Sequence, residues 1–125
     1  MENLNITTND NDTTAATAAF DPNVDATSVK SVVVTGNAGI TFANSNLGTA
    51  LTSFDASGVT VGSVTYTTAA LAASSTLKGG AGADRIDASL VSAAGVTVNI
   101  SGNAGADTLI GSATKSSTID GGIGN

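Results

Sequence analysis

Gly79-Gly80-Ala81-Gly82-Ala83-Asp84-Arg85-Ile86-Asp87 is the stretch that decides the fold. It fits the nonapeptide G-G-x-G-x-D-x-U-x, in which U is a large apolar residue, at every position. The first six residues read as a turn, because glycines reach backbone conformations with positive φ that can aim successive carbonyl oxygens at one point. The last three read as a short strand with Ile86 pointing inward. A second copy, Gly102-Asn103-Ala104-Gly105-Ala106-Asp107-Thr108-Leu109-Ile110, carries Asn103 in place of the second glycine. Asn is the non-glycine residue that best tolerates a left-handed backbone. Gly121-Gly122-Ile123-Gly124-Asn125 opens a third copy and stops one residue before its Asp, so the chain reads as a fragment of a longer array.

A three-residue strand cannot bury one apolar side chain alone, so the copies must stack. Two nonapeptides make a regular coil of about 18 residues, and the three copies start at 79, 102 and 121, offsets of 23 and 19. Each offset is about one coil. The three turns are therefore expected along a single edge of a solenoid, with looser corners at 88–95 and 111–117 on the other edge.

Stacked turns of this kind offer hard oxygen ligands. Calcium takes six to eight of them, so one turn supplies half a site and its neighbour the rest. The expected ligands are the backbone carbonyls of Gly79, Gly80, Ala81 and Gly82, of Gly102, Asn103, Ala104 and Gly105, and of Gly121, Gly122, Ile123 and Gly124, with the carboxylates of Asp84 and Asp107. The better-formed position is expected between Asp84 and Asp107, and an incomplete one between Asp107 and the third turn. The competing reading is a Gly-rich turn whose carboxylate only accepts nearby backbone N–H groups. Asp25, Asp55, Asp87 and Asp120 stand beside strand ends and read as such turn formers. Without a cation, stacked carboxylates repel, so folding from about Lys78 onward is expected to be coupled to calcium. The coils before it, with apolar runs such as Val32 to Val34, are expected to fold without metal.

Three regions follow: an N-terminal strand and connector over 1–27, β-solenoid coils without clear calcium turns over 28–78, and a calcium-binding β-roll over 79–125, truncated at its C-terminal end. In the first, Leu4 and Ile6 alternate as in a strand, and Ala15 to Phe20 suits a helical turn stopped by Pro22. From Ser28 onward, short β-branched runs alternate with Gly, Asn, Asp and Ser. They predict strands at 29–34, 40–43, 51–54, 59–66, 76–78, 85–86, 96–100, 108–110 and 118–119. Two further repeats support stacking. One is Val24-Asp25-Ala26-Thr27, Phe54-Asp55-Ala56-Ser57 and Ile86-Asp87-Ala88-Ser89. The other is Val34-Thr35-Gly36-Asn37-Ala38-Gly39, echoed by Ile100-Ser101-Gly102-Asn103-Ala104-Gly105. The predicted fold is all-β, a parallel β-solenoid or β-roll.

Composition narrows the function. Of 125 residues, 41% are hydrophobic but only 3% aromatic, which suits thin stacked layers better than a globule. The net charge is −6, and the four cations, Lys30, Lys78, Arg85 and Lys115, form no cluster. Nucleic-acid binding draws on clustered Lys and Arg, so nucleic acid is excluded as a partner. With no His and no Cys, a Ser-His dyad, a His-ligated zinc and a thiolate nucleophile are all excluded. The chain reads as no enzyme. No apolar run approaches the length of a membrane span, and no basic start with an apolar stretch marks a Sec signal.

At these residues the chain resembles the repeats-in-toxin (RTX) group, and within it the calcium-dependent S-layer proteins of Gram-negative bacteria. The turn from Gly79 to Asp84 carries the RTX resemblance. The S-layer resemblance rests on Lys30-Ser31-Val32-Val33-Val34-Thr35-Gly36-Asn37-Ala38-Gly39, on Leu51-Thr52-Ser53-Phe54-Asp55-Ala56-Ser57 and on Glu2-Asn3-Leu4-Asn5-Ile6. It implies type I secretion, folding outside the cell in calcium, and a place at the bacterial cell surface. Self-association with copies of the parent protein is implied too, as is contact with cell-surface polysaccharide through regions outside this chain. An RTX adhesin module, or the non-catalytic roll of a type I-secreted enzyme, is the alternative. Asn103 and the interrupted 18-residue period depart from the family pattern, and they put a continuous calcium ladder in doubt.

Overall fold

The computed structural model describes residues 2–11 and 19–124. Eleven strands follow one another: β1 (Asn3–Thr8), β2 (Ala19–Phe20), β3 (Ser31–Gly36), β4 (Gly39–Thr41), β5 (Ser53–Val59), β6 (Val64–Thr67), β7 (Ser75–Lys78), β8 (Arg85–Asp87), β9 (Val98–Ser101), β10 (Thr108–Ile110) and β11 (Ser117–Asp120). The odd strands form one sheet in the order β1-β3-β5-β7-β9-β11, and the even strands form a second in the order β10-β8-β6-β4-β2. All pairings between these strands are parallel. Each coil gives one strand to each sheet, and the next coil lies on top of it. This is a parallel β-solenoid, as the repeats predict. Among the described residues there is no helix, and so none long and apolar enough to cross a membrane.

The rise from coil to coil is uneven. Asn3 pairs with Ser31, 28 residues on, Ser75 with Val98, 23 on, and Val98 with Ser117, 19 on. The strands keep register because the variation is absorbed in the corners. Between β3 and β5 the register shifts: Val33 pairs with Asp55 but Thr35 with Gly58. One extra residue therefore sits in β5, the geometry of a β-bulge.

Register aligns the inward side chains into columns. In the first sheet Leu4, Val32, Phe54, Leu77, Ile100 and Ile119 stand one above another. The middle of this column is closed to solvent, whereas Ile119 is 49% exposed on the last strand. In the second sheet Tyr66, Ile86 and Leu109 form a column. Where the sheets face each other, Phe54 stacks on Tyr66 at 4.4 Å between centroids. Phe42 meets Phe54 edge-on at 5.5 Å and Tyr66 at 5.9 Å. Three of the chain's four aromatic residues thus meet in one place, and the other coils are filled by Val, Leu, Ile and Ala.

The Tyr66 hydroxyl is buried without a hydrogen-bond partner, and burial pushes its pKa up. An unpaired buried hydroxyl costs stability that an apolar isostere does not. Tyr66→Phe keeps the ring stack and is expected to leave the stability unchanged or raise it by up to about 1 kcal/mol, read from the thermal midpoint. A midpoint several degrees lower would show that the hydroxyl has a partner in solution.

Three sequence expectations need correction. The predicted strand over 59–66 is broken by a corner at 60–63, so Val59 ends β5 in one sheet and Val64 opens β6 in the other. β-branched residues continue through that corner, and Gly62, at φ 85°, makes it. The apolar-Asp-Ala-hydroxyl units do not stack on one another, since Phe54 belongs to the first sheet and Ile86 to the second. They share a local turn instead: Asp55 Oδ1 accepts from Ser57 N at 3.0 Å and Asp87 Oδ1 from Ser89 N at 2.9 Å. The helical turn expected over 15–20 lies mostly outside the described residues, and its last two residues, Ala19 and Phe20, are strand β2.

Candidate metal centre

The three Gly-rich turns stack along one edge, as their spacing predicts; the first two each join a strand of the first sheet to one of the second, and the third follows the last strand of the first sheet. Gly79 follows β7, Gly102 follows β9 and Gly121 follows β11. Asp84 and Asp107 immediately precede β8 and β10, and since Arg85 pairs with Thr108 the two acids are level. Thr65 pairs with Arg85, so Val64 is level with them, and Ile40 pairs with Val64. One inward column therefore reads Ile40, Val64, Asp84, Asp107. Its first two members are fully buried aliphatics, and Asp84 takes the same place at 2% exposure. The column thus changes from aliphatic to carboxylate at a core position, which makes this edge the candidate site.

Hydrogen bonds explain how Asp84 is tolerated. Val64 N donates to its Oδ1 at 2.7 Å and Gly80 N to its Oδ2 at 2.6 Å. Burial pushes the Asp84 carboxyl up to about 6, the two N–H donors oppose that shift, and the neighbouring Asp107 adds to it. One coil further on the pattern is only half repeated. Asp84 N donates to Asp107 Oδ1 at 2.9 Å, but Asp107 Oδ2 is buried with no partner. No cation compensates either acid among the ion pairs of the described residues. Lys30 pairs with Glu2, Lys78 with Asp55 and Arg85 with Asp87.

The glycines at the head of each turn are required by close approach. A Cβ on Gly79 would run into Asp84 Oδ2 and the carbonyl oxygen of Gly102, and one on Gly102 into Asp107 Oδ2 and the carbonyl oxygen of Gly121. A carboxylate oxygen and a carbonyl oxygen of the following coil thus converge twice, in the same way. That convergence is the feature a hard cation needs. Three or more His, Cys, Asp or Glu suited to a metal do not come together among the described residues. Any cation here would rest mainly on backbone carbonyls.

The turns are not equivalent, and here the sequence expectation is revised. The second and third share a conformation, with positive φ at Asn103 (71°) and Gly105 (121°), and at Gly122 (77°) and Gly124 (118°). They are bound by Ile123 N to Asn103 O at 2.6 Å and Gly105 N to Ile123 O at 3.0 Å, and Ala104 and Ile123 form a parallel bridge. The first turn, the closest match to the nonapeptide, has no positive φ at Gly79, Gly80 or Gly82. The Asn103 side chain reaches up to it, donating from Nδ2 to the Gly79 carbonyl at 2.7 Å. The bond from Gly80 N is of the local kind that the competing turn reading expects, whereas those from Val64 and Asn103, which cross between coils, were not foreseen from sequence. Their signal was the aliphatic column that Asp84 interrupts, which only strand register exposes. Asp25, Asp55, Asp87 and Asp120 lie away from this column, and the last three accept local N–H bonds, as turn formers do.

Comparison with protein-family models, with curated proteins and with solved structures finds no match to this chain.

Proposed function

We propose that this chain is a structural module of a secreted bacterial surface-layer protein, a rigid β-solenoid whose Gly-rich edge binds calcium. The observation that carries the reading is the buried, unpartnered Oδ2 of the half-buried Asp107, level with the buried Asp84 carboxylate and unpaired with any cation among the described residues. An orphaned carboxylate oxygen in a core column costs stability unless something positive meets it. Asp107 and the carbonyls of the turns at 102–105 and 121–124 would hold the ion. Calcium would supply the charge that cancels the carboxylates and the coordination that orders those carbonyls. The surface-layer assignment is supported by the resemblance of the turn and of the runs at 30–39 and 51–57. A long, thin stack of coils with few charged residues also suits a load-bearing coat.

Calorimetric titration and thermal melting, with calcium and with chelator, test the reading. A ligand at 100 times its Kd stabilises by about 2.7 kcal/mol, so millimolar calcium is expected to raise the midpoint by several degrees. Asp107→Asn is expected to remove most of that rise. Equal midpoints in calcium and in chelator would overturn the calcium assignment and leave a metal-free scaffold or adhesin.

A further inference from the structure

We infer that Asn103 is a built-in substitute for a cation: it closes the interface between the first two Gly-rich turns, so that the chain's calcium position lies one coil further on, at Asp107. The inference rests on the calcium reading above and assigns its place. At the first interface both oxygens of Asp84 and the first two carbonyls of the turn are already engaged by the protein. Both oxygens of Asp84 accept backbone N–H groups, from Val64 and Gly80. The Gly79 carbonyl accepts the Asn103 amide at 2.7 Å, and the Gly80 carbonyl accepts Ala104 N at 3.3 Å. An amide N–H presents the positive end of a dipole to a carbonyl, as a metal would, but it brings no charge and costs no dehydration of an ion. The residues at this interface do not fit calcium.

At the second interface the backbone bridge is kept, with Ile123 N on the Asn103 carbonyl and Gly105 N on that of Ile123, but the carboxylate and the head of the turn are left open. Asp107 Oδ2 has no donor, and the turn beneath it carries Gly122 where the turn above carries Asn103, so no side-chain amide can reach up. The two turns that flank this interface share their pattern of positive φ, whereas the first turn does not. Asn103 is suited to this role because it holds φ at 71°, a conformation Asn tolerates better than other side-chain-bearing residues. From that backbone position its amide meets the coil above.

Calcium stoichiometry by isothermal titration calorimetry decides the matter, with circular dichroism in chelator to show that each variant is folded. The wild type is expected to bind one calcium per chain, Asp84→Asn to retain it with an affinity within a few-fold, and Asp107→Asn to lose it. Asn103→Gly removes the amide and is expected to admit a second calcium, which Asp84→Asn in the same background abolishes. Two ions in the wild type, or a loss in Asp84→Asn as deep as in Asp107→Asn, would overturn the inference while leaving calcium binding intact. A single ion in Asn103→Gly would overturn the role of Asn103. No calcium bound by any of the folded chains would overturn the inference together with the proposed function.

Discussion

Phe54→Ala is expected to cost about 3–5 kcal/mol, a large share of the roughly 5–15 kcal/mol that holds a domain folded. Phe54 is fully buried, stands between Val32 and Leu77 in its column, and holds together the ring contacts with Tyr66 and Phe42. A solenoid coil has no second layer of side chains to move into the space, so the cavity stays open and the loss falls at the upper end of the usual range. Urea unfolding followed by circular dichroism measures it. Ile119→Ala, at the exposed end of the same column, serves as the control and is expected to cost less than about 1 kcal/mol. Equal losses at the two positions would show that the column does not act as a continuous core.

The second large effect is in pH. In chelator, the chain is expected to become more stable as pH falls from 7 to 4.5, the reverse of ordinary acid denaturation. The folded pKa of Asp84 is pushed up to about 6 from 3.8, so between those values the folded chain holds a proton that the unfolded chain has released. Stability from this group is therefore fully present below about 3.8 and is lost as pH rises through about 6. Each pH unit crossed between the two values is worth about 1.36 kcal/mol, so acidification to pH 4.5 gains about 2 kcal/mol. Asp55 and Asp87 act the other way. Burial raises each, but hydrogen bonds from Ser57 and the Lys78 charge hold Asp55 below its usual value, and Ser89 and Arg85 do the same for Asp87. Their contribution is lost only as pH falls below about 3.8, outside the window. Asp84→Asn is expected to flatten the rise in thermal midpoint between pH 7 and 4.5. If the wild type shows no rise, Asp84 is paired with a positive charge that the fold does not reveal.

Much of this architecture can be read from residue order. A nonapeptide that turns for six residues and extends for three can satisfy its one apolar side chain only by stacking, and starts at 79, 102 and 121, about one coil apart, placed the turns on one edge. What could not be read was which residues lie level with one another. The Asp55 and Asp87 units look alike in sequence yet sit in opposite sheets, because each marks a local Asx turn, and such a turn fits either corner. The site was legible as a set of residues but not as a set of bonds. From composition alone Asp84 and Asp107 are equal, and the better motif match favours Asp84. They differ because the coil above Asp84 presents the free N–H of Val64 and its own turn that of Gly80, while Asp107 receives one N–H and no more. Donor supply depends on the conformation of the neighbouring coil, and a motif does not record it.

The column that passes from Ile40 and Val64 to Asp84 and Asp107 gives the solenoid a polarity along its axis. Each coil touches only the coils beside it, so cooperativity is passed between neighbours and does not belong to the whole. A boundary where grease gives way to charge is then a seam. On one side the backbone ladders close over aliphatic side chains, and on the other two carboxylates enter the same column, where under the proposed calcium binding cohesion would vary with the surrounding ions. Under that proposal the rod would be stiff at one end and adjustable at the other, and changes in its ionic surroundings would be felt as changes in length of ordered structure rather than as all-or-none collapse.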